Sequence, residues 1–257
     1  MSELTVVTLN LHGGQRNRGI SLPRLGQHAP PPEKAVSNGA FDAAGVLAAF
    51  DADVLVLQEA WWPDEGPAAV DVVAAQSGAT VHAATFGRAI VEPWPHIVST
   101  RRDRAYGRLG IAVVSRLPAR LATAIPVGDV PGDPAVHRRA LHVALTVDGH
   151  DLDLVAVHLS SRLPYAPPMQ IRKLRRGLPP PGRRTVLVGD FNLWGPAVTA
   201  MLPGWRRAVR GRTWPSHRPH SQIDHVLVRD DVEVVDGEVL GEVGSDHLPV
   251  RATLRFS

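Results

Sequence analysis

Short apolar runs that stop on a polar residue recur along this chain, and they constrain its fold more than any other feature. Leu4 to Leu9 stops at Asn10, Asp53-Val54-Leu55-Val56-Leu57 at Gln58-Glu59, and Leu154 to Val157 at His158. Thr185 to Val188 passes through Gly189 into Asp190. Towards the C-terminus the order reverses, with Asp224 ahead of His225 to Val228 and Asp246-His247 ahead of Leu248-Pro249-Val250. Runs this short and this rich in Val, Ile and Leu read as strands, the most continuous of them buried on both faces. A strand that ends on Asn, Glu, His or Asp delivers that group to the rigid edge of a sheet.

The rest of the pattern fills in a mixed α/β chain. Further strands are expected at Val81 to Phe86, Gly110 to Ser115, Ala140 to Val147, Leu152 to His158, Val232 to Leu240 and Leu248 to Phe256, with Asp148-Gly149 as a hairpin turn. Helices are expected at Phe41 to Phe50, Ala68 to Gln76, Gln170 to Arg176 and just after Pro196. The Pro-rich stretches near Pro30, Pro167 and Pro179 are loop-sized, so residues 1–257 are read as one domain. Hairpins mixed with crossovers argue against a purely parallel doubly wound sheet.

Composition narrows the chemistry. There is no cysteine, which excludes disulfides, thiolate metal sites and cysteine nucleophiles. Carboxylate, amide and imidazole donors remain, and these favour hard ions. Lys and Arg together number 28 against 25 Asp and Glu, and only Lys34 and Lys173 are lysines. Arginine forks suit phosphate, but a chain rich in Ala, Gly, Pro and Arg reaches the same balance without a polyanionic partner, so net charge alone identifies none. The N-terminus has no basic leader or apolar core of a signal peptide, and no segment reaches transmembrane length. A cytoplasmic, monomeric protein without stable membrane association is expected.

Spacing says more about the polar residues. Asp190 and Asn192 are separated by one residue, so in an extended segment both point the same way. Asp224 and His225 are adjacent and point to opposite faces, so only one of them enters a given site. Asp246-His247 gains weight if Asp224 orients His247.

Taken together, Thr8-Leu9-Asn10, Leu57-Gln58-Glu59, His158-Leu159, Gly189-Asp190-Phe191-Asn192, Ile223-Asp224 and Gly244-Ser245-Asp246-His247 resemble the motif series of the endonuclease/exonuclease/phosphatase superfamily, the deoxyribonuclease I-like fold. Gly110 to Arg116 is similar to the family's central Gly-apolar-apolar-Ser-Arg strand. The resemblance runs from the first strand to the last. It implies a four-layer α/β/β/α sandwich with the active site at one end, cleaving phosphate esters with Mg²⁺ or Mn²⁺. Glu59 would be the main metal carboxylate, with Asn10 as a neighbouring ligand or orienter and Asp246 as a further ligand. Asp190 and Asn192 would position the attacking water, His158 and His247 would contact the phosphate, and Asp224 would hold His247. Either the His247-Asp224 pair or Asp190 would take the water's proton, the former preferred.

His158, in place of an aromatic hydroxyl, follows the deoxyribonuclease I-like and sphingomyelinase-like branches rather than abasic-site nucleases. The substrate would be set by loops at Gly13 to Gly39, Gly87 to Arg108 and Arg206 to His220. The last carries Arg206, Arg212 and Trp214, suited to a phosphate backbone and a stacked base. An endonuclease-like nuclease is the expectation, ahead of a small-molecule or lipid phosphodiesterase or phosphatase of the same fold. A non-catalytic nucleic-acid- or protein-binding module is the reading from another class. Every catalytic position being occupied argues against it.

Overall fold

Side-chain alternation sorts each central strand into two faces, and both faces are apolar. In the computed structural model, which describes residues 2–14, 42–91, 105–131, 137–229 and 232–257, Val6 packs on one side of its strand and Val7 on the other. A strand buried on both faces must lie inside a stack of layers, and four layers result.

The strands in chain order are β1 (Ser2–Asn10), β2 (Val54–Pro63), β3 (Thr80–Val91), β4 (Ala105–Ser115), β5 (Ala119–Pro126) and β6 (Arg139–Val147). They continue with β7 (His150–His158), β8 (Thr185–Asp190), β9 (Arg206–Arg207), β10 (Asp224–Val228), β11 (Glu233–Val239) and β12 (Val250–Phe256). The helices are α1 (Ala43–Ala48), α2 (Ala69–Ser77), α3 (Ala166–Gly177) and α4 (Gly195–Met201). One sheet has the order β11-β12-β1-β2-β4-β3, the other β5-β6-β7-β8-β10-β9.

Between the sheets lies a core of Leu4, Val6, Val54, Val56, Ile111, Leu154, Ala156, Val186, Val188 and Val226, among others. The alternate residues Val7, Leu9, Leu55 and Leu57 face outward under α1 and α2. On the other sheet Val155, Val157, Leu187 and Leu227 face outward under α3 and α4. This is the α/β/β/α sandwich expected from the sequence.

Several boundaries differ for physical reasons. The strand expected to end at Glu59 continues to Pro63, because a bulge between Leu57 and Ala60 absorbs the polar pair and pairing with β4 resumes. Strand β5 was not anticipated. It is an edge strand with mostly exposed residues, so it carries no apolar run to read. Helix α1 starts at Ala43, where the Asp42 carboxylate accepts the Gly45 N–H at 2.8 Å as an N-cap; Phe41 lies outside the described residues. The loops expected to frame the cleft at Gly13 to Gly39 and Gly87 to Arg108 lie largely outside them too.

Packing demands glycine just before the polar end of β8. Gly189 has φ 134°, and a Cβ there would sit 2.1 Å from the Val157 carbonyl oxygen and 3.0 Å from Gln58 Nε2. Only glycine lets β8 run this close to its neighbour just before the polar end.

Candidate active site

The polar residues are the last rungs of the inter-sheet core. Counting by twos, Leu4, Val6 and Thr8 lead to Asn10, Leu154 and Ala156 to His158, Val186 and Val188 to Asp190, and Val228 and Val226 back to Asp224. Strand direction explains why Asp224 comes first in its run. β7 and β8 are parallel and place His158 opposite Asp190, whereas β10 is antiparallel to β8 and places its first residue, Asp224, opposite Asp190.

The two sheets meet at this edge. Asn10 Nδ2 donates to Asp190 Oδ2 across the sandwich at 3.1 Å and to Glu59 Oε1 at 3.4 Å. His158 Nε2 stands 3.8 Å from both Glu59 Oε1 and Asp190 Oδ2. His247 Nδ1–H donates to Asp224 Oδ2 at 2.9 Å, and its Nε2 lies 3.9 Å from Asp190 Oδ2. Six of the eight core residues singled out from sequence therefore form one contiguous cluster. Asp246 borders it through Ser245, whose hydroxyl donates to the Asn10 carbonyl at 2.6 Å.

Asn192 arrives differently from the expectation. It has φ 47°, so the segment after Asp190 is not extended. The Asn192 N–H turns back to Asp190 Oδ1 at 2.8 Å, and its Nδ2 donates to the Leu159 carbonyl at 2.8 Å. It fixes Asp190 and ties the loops after β7 and β8 together. Glu59 likewise has φ 49°, and the bulge turns its side chain towards the edge while Gln58 points inward to Thr8. Asp224 and His225 do take opposite faces: His225 packs edge-on against Phe191 at 5.4 Å and its ring nitrogen bonds the Leu193 carbonyl at 3.0 Å.

Burial and charge set the protonation states. Burial, reinforced by the Asp224 charge, raises the Asp190 pKa to about 7, against the opposing pull of His247 and of hydrogen bonds from Asn192 and Asn10. Burial alone would depress His247, but the Asp224 charge and hydrogen bond outweigh it, with Asp190 and Asp246 adding, and raise it to about 10. His158 is held well below its ordinary value by burial, with Arg138 and His247 adding, so its ring is neutral at pH 7. Its Nδ1 is buried without a hydrogen-bond partner while Nε2 faces the carboxylates, which suits the tautomer with Nε2–H.

Sequence reasoning missed several supporting residues. Arg138, 8 % exposed, sits over the Phe86 ring at 5.4 Å and donates to the His158 carbonyl at 3.3 Å. Thr213 Oγ1 accepts the Ile223 and Asp224 N–H groups at 3.2 and 3.3 Å. His12, two residues past Asn10, was legible only as the next polar residue after a strand end. Of the basic-loop residues, Trp214 reaches the edge, its indole N–H donating to Asp246 Oδ2 at 3.4 Å. Arg212 is exposed beside Thr213. Arg206 is displaced: it pairs with Val228, at the end of β10 away from Asp224, and its guanidinium donates to the Val232 carbonyl. The antiparallel run of β10 separates Arg206 from the rest of its loop.

Asp190, Asp224 and His247 present ligand atoms within 4.8 Å of one another, a grouping able to hold a metal ion.

A four-layer sandwich with carboxylates and imidazoles gathered at one edge defines the deoxyribonuclease I-like class. The chain belongs to the Endonuclease/Exonuclease/phosphatase family, which it matches over residues 7–247. No curated protein matches it at the level of sequence. Among solved structures it is similar to an endonuclease/exonuclease/phosphatase from Beutenbergia cavernae, with TM-score 0.69, 23 % identity and coverage of 100 % of this chain and 72 % of that one. It is also similar to D. rerio TDP2 complexed with a single-strand DNA product, with TM-score 0.62, 16 % identity and coverage of 99 % and 100 %. A third is the Bacteroides thetaiotaomicron mannosyl-6-phosphatase, with TM-score 0.66, 16 % identity and coverage of 98 % and 100 %. Enzymes of the family hydrolyse phosphate esters, typically with divalent metals.

Proposed function

We propose that this chain is a divalent-cation-dependent phosphodiesterase acting on nucleic acid. The observation that carries the reading is the convergence of Asn10, Glu59, His158, Asp190, Asp224 and His247 on one edge. The donor set fits Mg²⁺ or Mn²⁺. Glu59 and Asp190 share two neighbours, the Asn10 amide and the neutral His158 ring, and neither brings positive charge to Glu59. Carboxylate oxygens beside such neutral neighbours suit a hard cation that retains water. The Asp190-Asp224-His247 grouping suits it less, because the imidazolium of His247 already lies between the two carboxylates.

Glu59, 28 % exposed, would be the principal ligand, with Asn10 beside it. Asn10 turns its N–H groups to the carboxylates and its oxygen to the His12 N–H at 2.9 Å, which favours orienting over ligating. When bound, the ion would draw charge from the phosphoryl and leaving oxygens.

The protein's own residues divide the remaining work. Asp224 accepts Nδ1–H of His247 and so aims Nε2–H at the site. An imidazolium flanked by two carboxylates keeps its proton, so it serves as a donor to a phosphate oxygen. Asp190 is then the proton acceptor for water, held by Asn192 and Asn10. This reverses the preference drawn from the sequence. His158 donates Nε2–H to another phosphate oxygen from the opposite side.

Trp214 and Arg212 favour nucleic acid over a small phosphate ester, since they put an aromatic ring and an exposed guanidinium on the loop that reaches Asp246. The test is a panel of DNA, RNA, a bis-phosphodiester and phosphomonoesters with Mg²⁺, Mn²⁺ or chelator. Hydrolysis without divalent metal, or full activity of Asp190→Asn, sinks the mechanism. A preference for sugar monophosphates sinks the substrate assignment alone.

A further inference from the structure

Asp246 does not present a free carboxylate. Its Oδ1 lies 3.2 Å from His12 Nδ1 and 3.5 Å from the Ser245 hydroxyl, and its Oδ2 accepts the Trp214 indole N–H at 3.4 Å. Both oxygens are committed to protein donors. The position is itself fixed: Ser216 N–H donates to the Asp246 carbonyl at 2.7 Å, and the Leu248 N–H to the Thr213 carbonyl at 2.8 Å.

His12 is held just as firmly. Its N–H donates to Asn10 Oδ1, and Asn10 Nδ2 in turn touches Glu59 and Asp190, so the ring's backbone is one side chain away from the carboxylates. His12 has φ 49°. Among the described residues five non-glycines take such a conformation, and His12 shares it with Glu59 and Asn192 at this same edge. An unfavourable backbone conformation persists only where its surroundings enforce it. The ring is 39 % exposed, and Nδ1 is the nitrogen spent on Asp246.

From this we infer that His12 is a substrate-contacting residue and Asp246 the residue that positions it. Asp246 holds the ring through Nδ1, which leaves the Nε2 edge to meet an anionic phosphate oxygen beside the Glu59-Asp190 pair. Asp246 acts through His12 and Trp214 rather than as a ligand to the cation. The inference deepens the phosphoesterase reading and rests on it.

The experiment compares wild type, His12→Ala, His12→Gln, Asp246→Asn and the His12→Ala/Asp246→Asn pair. Inorganic phosphate binding is measured by calorimetry with Mg²⁺ present, Mn²⁺ affinity by electron paramagnetic resonance, and kcat and KM on a phosphodiester. Loss of one charge-assisted hydrogen bond predicts about tenfold weaker phosphate binding for His12→Ala and for Asp246→Asn, with His12→Gln in between. KM should rise more than kcat falls, Mn²⁺ affinity should stay within about twofold, and the double variant should be no worse than His12→Ala alone. Mn²⁺ affinity falling about tenfold in Asp246→Asn, or phosphate binding unchanged in His12→Ala, overturns the inference. The phosphate and Mn²⁺ measurements need no turnover, so an absence of hydrolysis in wild type would refute the proposed reaction while leaving this comparison readable.

Discussion

Asp190 and Asp224 are register partners on the last rung of β8 and β10, two buried carboxylates spanned by the ring of His247. Like charges placed opposite each other in a sheet repel, and here the imidazolium offsets that repulsion. The same contact fixes the orientation of His247, whose charge opposes the rise in the Asp190 pKa that burial and the Asp224 charge produce. Replacing Asp224 should therefore disturb chemistry more than binding. For Asp224→Asn, kcat is expected to fall about 10²- to 10⁴-fold with KM little changed, measured by steady-state kinetics. A change confined to KM would contradict the orienting role.

Glu59→Gln separates metal binding from the rest of the site. It keeps the shape and removes the most open carboxylate of the cluster. Mn²⁺ affinity should drop about tenfold or more, with activity lost at ordinary Mg²⁺ and partly regained at high Mn²⁺. Titration followed by magnetic resonance reads the first, and a metal-dependent rate curve the second.

Gly189→Ala tests the packing that delivers Asp190. The added Cβ would meet a backbone oxygen at 2.1 Å in a φ region that L-residues avoid. A loss on the order of 3 kcal/mol or more is expected in urea unfolding, and any soluble fraction should have lost activity as well, because Asp190 follows directly.

His225 supplies a pH dependence of stability independent of catalysis. Its folded-state pKa is lowered to about 4, chiefly by burial. The unfolded chain, with a pKa near 6.5, takes up the proton first, so stability is full above about pH 6.5 and falls as pH drops towards 4. The total loss is on the order of 3 kcal/mol. His225→Gln, which keeps a donor for the Leu193 carbonyl, should flatten this slope in unfolding curves taken between pH 7 and 4.

The two arginines of the basic loop should behave differently. Arg206 lies at the far end of β10 and Arg212 beside Thr213. Arg212→Ala is expected to raise KM for an oligonucleotide several-fold, and more at low salt. Arg206→Ala should leave KM unchanged. Equal effects would mean that the loop contributes only general charge.

Much of the layer order and the identities of the clustered residues were legible because one rule, alternation along strands, governs both. Val186, Val188 and Asp190 obey the same period, and so do Val228, Val226 and Asp224. What escaped depended on breaks in that rule. Glu59 reaches the edge through a bulge, and Asn192 and His12 through left-handed backbone, none of which a period can reveal. Arg206 was misplaced because nearness in sequence does not survive the turn into an antiparallel strand. Edge strand β5 had no apolar signature to read. The commitments of Asp246 to His12 and Trp214 are long-range, joining segments more than two hundred and about thirty residues apart.

Because Asp190 and Asp224 continue the columns begun by Val186 and Val226, the reactive margin is written in the same positions that elsewhere hold the sheets together. Swapping those two acids for leucine or valine would prolong the oily seam in outline while stripping His247, Asn10 and the Asn192 N–H of their acceptors. Shape in this architecture is thus a poor witness to activity: a chain of identical outline can be an enzyme or an inert shell, and two side chains decide which.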